Sequence, residues 1–171
     1  MKIAGICIVM LTSTLIGLML GQELVVRVKN LKTLKKVMTL LHGEIRFAIT
    51  PIPEALENIS ERSCEPFTIF LQKTAEDLKS LQVSHLSEAW EKNSNLYLKG
   101  SVLNPKDLEK LNQLGSTLGY LDKEMQLTTI EQYIEQLEED IMEAAEYSVK
   151  QGKLYRTLGV LFGVFVAIVF I

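Results

Sequence analysis

The chain is poor in the residues that carry chemistry. Its 171 residues include two histidines, His42 and His85, and neither stands at a metal-ligand spacing. The two cysteines, Cys7 and Cys64, are too few for a disulfide framework. One lies in an apolar run and the other in a polar stretch, a usage that fits reduced thiols facing the cytosol. No GxxxxGK[ST] loop, GxSxG elbow or HExxH helix occurs. Gly152-Lys153 has no upstream glycine at the needed offset and is followed by Leu154, so it is not a P-loop. A net charge of -3 gives no overall attraction to nucleic acid. These absences predict a protein that is not an enzyme, takes no cofactor or metal, and has no nucleic-acid partner. Strand patterns are also missing. The one weak candidate, Leu96–Leu103, is broken by Gly100.

Long apolar runs are present, one near each end. Ile3–Leu20 has 18 residues without a charge, and Leu158–Ile171 has 14. If Arg156 snorkels, Leu154 and Tyr155 lengthen the second run to about 18 residues, roughly 27 Å of helix. The first run follows a single charge, Lys2, and is longer than a signal core. No small-x-small site follows it, so it is expected to be a retained anchor. Basic residues border both runs on their inner sides: Arg27, Lys29, Lys32, Lys35 and Lys36 after the first, Lys150, Lys153 and Arg156 before the second. The positive-inside rule then predicts a cytoplasmic middle with both termini across the membrane. The basic residues on the first turns after the first run can also meet anionic lipid headgroups, or serve only as orientation signals. The expected domains are a transmembrane helix over 1–21, a cytoplasmic helical bundle over 22–152 and a transmembrane helix over 153–171. Small residues four apart, Gly17 with Gly21 and Gly159 with Gly163, are candidates for close packing between spans, within the chain or against another subunit.

Between the runs the pattern is helical throughout. Val25, Val28, Leu31, Leu34, Met38, Leu41, Ile45 and Ala48 mark the inner face of a long first helix that ends at Thr50-Pro51. Pro53 opens a second helix, Glu54 to about Arg62, with Ala55, Leu56 and Ile59 inward. A third runs from Pro66 to about Leu81 on Phe67, Phe70, Leu71, Thr74 and Leu78. Ser84 is placed to cap a fourth, to about Tyr97, with Leu86, Ala89 and Trp90 as core. Asn104-Pro105 opens a fifth, with Leu108, Leu111, Leu114 and Leu118 inward. Gly115 and Gly119 allow a close backbone approach or end that helix. Asp122 caps a long sixth helix that passes into the terminal run, with Ile130, Ile134, Leu137, Ile141, Ala144 or Ala145, and Ser148 on one face. The other face is acidic: Glu131, Glu135, Glu138, Glu139, Asp140, Glu143 and Glu146. Such a run is a solvated face or a docking face for a basic partner. The predicted fold is all-α, a six-helix bundle between an N-terminal and a C-terminal transmembrane helix.

Three stretches together resemble the stage III sporulation protein AB family, and the likeness covers nearly the whole chain. They are Glu44-Ile45-Arg46-Phe47 followed by Pro53-Glu54-Ala55-Leu56; Leu114-Gly115-x-x-Leu118-Gly119-x-x-Asp122-x-x-x-Gln126; and Lys153-Leu154-Tyr155-Arg156-x-Leu158-Gly159-Val160-Leu161-x-Gly163. Ile52 departs conservatively from the Leu that often follows the turn proline. The family's soluble domain is similar to the cytoplasmic bundles of inner-membrane platform proteins in type II secretion and type IV pilus machines. The resemblance implies a non-enzymatic platform subunit in the mother-cell membrane around the forespore. It would serve a channel apparatus joining mother cell and forespore. Implied neighbours are the secretion-type ATPase, stage III sporulation protein AA, and other stage III sporulation membrane subunits; a homo-oligomer is left open by the sequence. The alternative from another class is a membrane-anchored helical signalling or receptor domain.

Overall fold

The structure, a computed structural model, describes residues 2–48, 50–80, 83, 85–100 and 102–170. Side chains of 2–11, 13, 14, 17, 155, 156, 159, 160 and 162–170 lie outside that description. Six α-helices follow in order: α1 Lys2–Gly43, α2 Ile52–Ser60, α3 Phe67–Lys79, α4 Leu86–Tyr97, α5 Pro105–Leu118 and α6 Lys123–Phe170. Among the described residues there is no strand, and no helix is long and apolar enough to cross a membrane. Most residues of the two terminal runs have side chains outside the description.

The chain forms two compact units, Asn30–Asp140 and the pair Met1–Lys29 with Ile141–Ile171. In the first, α2 packs on α3, α3 on α4 and α4 on α5. The buried side chains are those that helical periodicity selects: Leu31, Leu34, Met38 and Leu41 of α1, Ala55, Leu56 and Ile59 of α2, Phe67, Phe70 and Leu71 of α3, Ala89 and Trp90 of α4, and Leu108, Leu111, Leu114 and Leu118 of α5. Each large one contributes about 1.5–3 kcal/mol of burial.

Caps set the boundaries. The Asn104 side chain accepts from the Asp107 amide at 2.7 Å, with Pro105 in the first turn of α5. Asp122 Oδ1 accepts from the Met125 amide at 2.9 Å and starts α6. Two starts differ from expectation. Helix α2 begins at Ile52, ahead of Pro53 and after Pro51, because the fixed φ of proline suits an early helical position as well as the first one. Helix α4 has His85 at its cap position with no side-chain cap bond, and Ser84 lies outside the described residues. Leu96 and Tyr97 close α4, and the described residues from Leu98 to Leu103 form a turn with one isolated bridge, Lys99 to Leu103, and no strand. Gly100 has φ +80°, a left-handed conformation that suits glycine, and its amide donates to the Leu103 carbonyl at 3.2 Å.

The first helix ends in a π-helical turn, Glu44–Ala48, which the periodicity does not predict. The wider turn breaks the three-or-four spacing, so Ile45 stays buried while Phe47 is 79% exposed and Ala48 points outward rather than into the core. Val25, expected on the inner face, is also exposed. Glu44 organises this corner. Its carboxylate accepts from Thr50 Oγ1 at 3.3 Å and Asn58 Nδ2 at 3.4 Å and pairs with Arg62 at 3.6 Å, tying the turn to α2.

Candidate partner-binding surface

Helix α6 carries the acidic face, and the structure divides that face into two sets. Asp140 is spoken for. Lys110 Nζ of α5 donates to both of its oxygens, at 2.8 and 2.7 Å, with little of either side chain exposed. Glu138 pairs with Lys35 of α1, and Glu146 with Lys150 at 3.5 Å. Glu131, Glu135, Glu139 and Glu143 are exposed and make no ion pair among the described residues. Their spacing of four aligns them along one side of α6. Like charges at that spacing cost an isolated helix about 0.2–0.5 kcal/mol per pair, so the row is unfavourable to the chain alone.

The inner face of α6 holds Ile130, Leu137, Ala144 and Ser148 buried, with Ile134 and Ile141 half-buried. Tyr133 is buried too, and sequence reasoning passed over it. Its place three residues after Ile130 and four before Leu137 was the available signal. The Tyr133 hydroxyl has no hydrogen-bond partner among the described residues. Burial, and then the charges of Asp107 and Asp140, push its pKa well above the usual phenol range. A groove beside it is lined by Lys110, Gln113, Thr117, Thr129, Gln132 and Gln136.

The four motif residues at the end of α5 form a joint. Gly115 is buried beneath Trp90, whose Nε1 donates to the Leu111 carbonyl at 3.0 Å and whose ring meets Phe70 edge-on at 5.1 Å. A Cβ on Gly115 would lie 2.8 Å from Nε1 and closer still to Cδ1 and Cγ. Gly119 is the C-cap, and a Cβ there would meet Leu86 Cβ at 3.3 Å. Asp122 caps α6. Gln126 Nε2 donates to the Leu118 and Leu121 carbonyls, at 3.0 and 3.1 Å, and so satisfies groups left open by the end of α5.

In the other unit, Gly21 of α1 faces Gly152 of α6, with a built Cβ 3.8 Å from the Gly152 Cα. Sequence reasoning paired Gly21 with Gly17 and not with Gly152. Gly17, Gly159 and Gly163 lie outside the described side chains, as does Arg156. Lys29, Lys32 and Lys153 are exposed and Arg27 is half-buried. Among the described residues no group of three or more His, Cys, Asp or Glu side chains is placed to hold a metal ion.

Fold and residue usage together define a class: an all-helical bundle whose distinctive residues make joints between helices. The model of the family described as Stage III sporulation protein AB matches residues 2–171, and the chain belongs to that family. Stage III sporulation protein AB of Bacillus subtilis (strain 168) is 24% identical over 163 residues, which is 95% of each chain. A solved structure titled Stage III sporulation protein AB (SpoIIIAB) superposes with a TM-score of 0.65 at 24% identity, covering 72% of this chain and 96% of that one, and shares the fold. Membership implies a role in sporulation.

Proposed function

We propose that this chain is a non-enzymatic platform subunit of a sporulation-specific, secretion-like apparatus between mother cell and forespore. Its middle is cytoplasmic, its two apolar runs sit in the mother-cell membrane around the forespore, and both termini lie on the opposite side. It links a secretion-type ATPase, stage III sporulation protein AA, to the other stage III sporulation membrane subunits. The observation that carries the reading is α6 itself. One helix, Lys123–Phe170, bears the unpaired row Glu131, Glu135, Glu139 and Glu143 and also the apolar run that begins at Leu158. A row of carboxylates left unneutralised by the chain's own lysines suits a basic partner surface, which would remove their mutual repulsion. Photo-crosslinkers at positions 135 and 139 test it. Adducts with the ATPase support the docking face; adducts only from other faces return that row to solvent.

A further inference from the structure

Where α1 and α6 approach at Gly21 and Gly152, a groove of about 420 Å³ opens between them. Its lining is of two kinds. Leu18 and Val25 of α1 and Val149 of α6 give apolar walls, while Gln22, Ser148 and Lys153 give an amide, a hydroxyl and an ammonium. Lys153 is exposed and has no carboxylate partner among the described residues, in contrast to Lys150, which is held by Glu146. Glycine on both facing helices leaves the space that side chains would otherwise fill. The volume is within the range of small-molecule sites, about 300–1,000 Å³.

We propose that this groove binds the headgroup of an anionic phospholipid. The Lys153 ammonium and the Gln22 amide take the phosphate, and the first carbons of the acyl chains lie against Leu18, one turn toward the membrane from Gln22. An apolar wall beside a cation selects a ligand with both a charge and a tail. A free phosphate would leave Leu18 wet. Leu18 belongs to the run Ile3–Leu20, so the walls of the groove continue into residues that need an apolar surrounding. Gln22 and Lys153 stand just beyond the inner ends of the two runs, where headgroups lie in the membrane arrangement proposed above. The proposal rests on that arrangement and adds to it a lipid class and a site.

The full chain is reconstituted into vesicles of equal phosphatidylglycerol and phosphatidylcholine. Alkaline extraction is done first, and retained lipid is then counted by native mass spectrometry after transfer to detergent. The chain is expected to resist extraction and to retain phosphatidylglycerol over phosphatidylcholine. Lys153→Gln should lower that preference about five-fold, the effect of one cation near an anionic surface. Lys106→Gln, at an exposed lysine outside the groove, should leave it unchanged. Trp90 emission, unaltered in both variants, certifies the fold. Equal retention of the two lipids overturns the proposal, as does an equal loss in the two variants, which would mean diffuse attraction. Displacement by excess glycerol 1-phosphate overturns the lipid as the source of the phosphate. Release at alkaline pH removes the membrane reading and the site with it.

Discussion

Gly115→Ala is a sharp test of the packing. In an exposed helix this change stabilises by about 0.8–1 kcal/mol, because alanine has the better propensity. Here the new Cβ would sit 2.8 Å from Trp90 Nε1, with Cδ1 and Cγ nearer. The indole cannot yield cheaply. It is fully buried, fixed to the Leu111 carbonyl at 3.0 Å and packed edge-on against Phe70. Overpacking of this kind costs about 1–3 kcal/mol, and losing the indole hydrogen bond adds about 1. Set against the propensity gain, the net destabilisation is about 1–3 kcal/mol. For a unit of this size that lowers Tm by roughly 5–20 °C. Trp90 is the only tryptophan, so its emission follows the perturbed site directly. Thermal unfolding of the full chain in detergent, read by that emission, should show the lower Tm with a red-shifted folded state. Gly119→Ala should cost under about 1 kcal/mol, since its neighbour stands at 3.3 Å and its φ of -69° suits alanine. A Gly115→Ala protein as stable as the parent would refute the reasoning.

Tyr133→Phe removes a buried hydroxyl that has no partner among the described residues and should stabilise by about 1 kcal/mol in thermal unfolding. Because its pKa is pushed above the ordinary phenol value, Tyr133 leaves stability independent of pH below about pH 10, and stability falls as pH rises beyond it, where the unfolded chain's tyrosine ionises and the native one does not; Tyr133→Phe should flatten that alkaline loss. Lys110→Met leaves Asp140 without its cation and should cost about 1–3 kcal/mol, most of it recovered by adding Asp140→Leu. At Asp77, burial alone would raise the carboxyl, but bonds from Asn93 and Lys92, both at 2.9 Å, and the Lys92 charge hold it below its usual value. Its stabilisation is therefore present above about pH 4 and lost as pH falls further, a loss that Asp77→Asn should reduce in acid titrations followed by circular dichroism.

What could be read from the sequence was whatever is local. Asn104-Pro105 and Asp122 declare their helix starts because a cap needs only its own first turn. The Gly115–Gly119 pair announced a close approach or an end, and the structure makes it both, with Trp90 over the first and the C-cap at the second. What escaped depends on neighbours distant in the chain. The Lys110–Asp140 and Lys35–Glu138 pairs join residues 30 and 103 apart, so nothing in the acidic run showed which carboxylates were already neutralised. The π turn at Glu44–Ala48 shifts one helical face by a residue, and a fixed spacing cannot anticipate it. Gly152 was read only as a failed P-loop, because its meaning comes from Gly21 opposite. The acidic face thus narrowed from seven carboxylates to the four at 131, 135, 139 and 143.

The central claim is that this row docks the motor. Charge reversal at Glu135 separates docking from solvation within one protein. Glu135→Lys places a cation between Glu131 and Glu139 at the favourable spacing and should leave the bundle as stable as before, or about 0.5 kcal/mol more so. Binding of purified stage III sporulation protein AA to the full chain in detergent, titrated at low and high salt, is the direct measurement. The account predicts saturable binding that weakens with salt and falls at least ten-fold in Glu135→Lys while the fold is unchanged. Absence of binding by the parent chain, or equal binding by parent and Glu135→Lys, would contradict it.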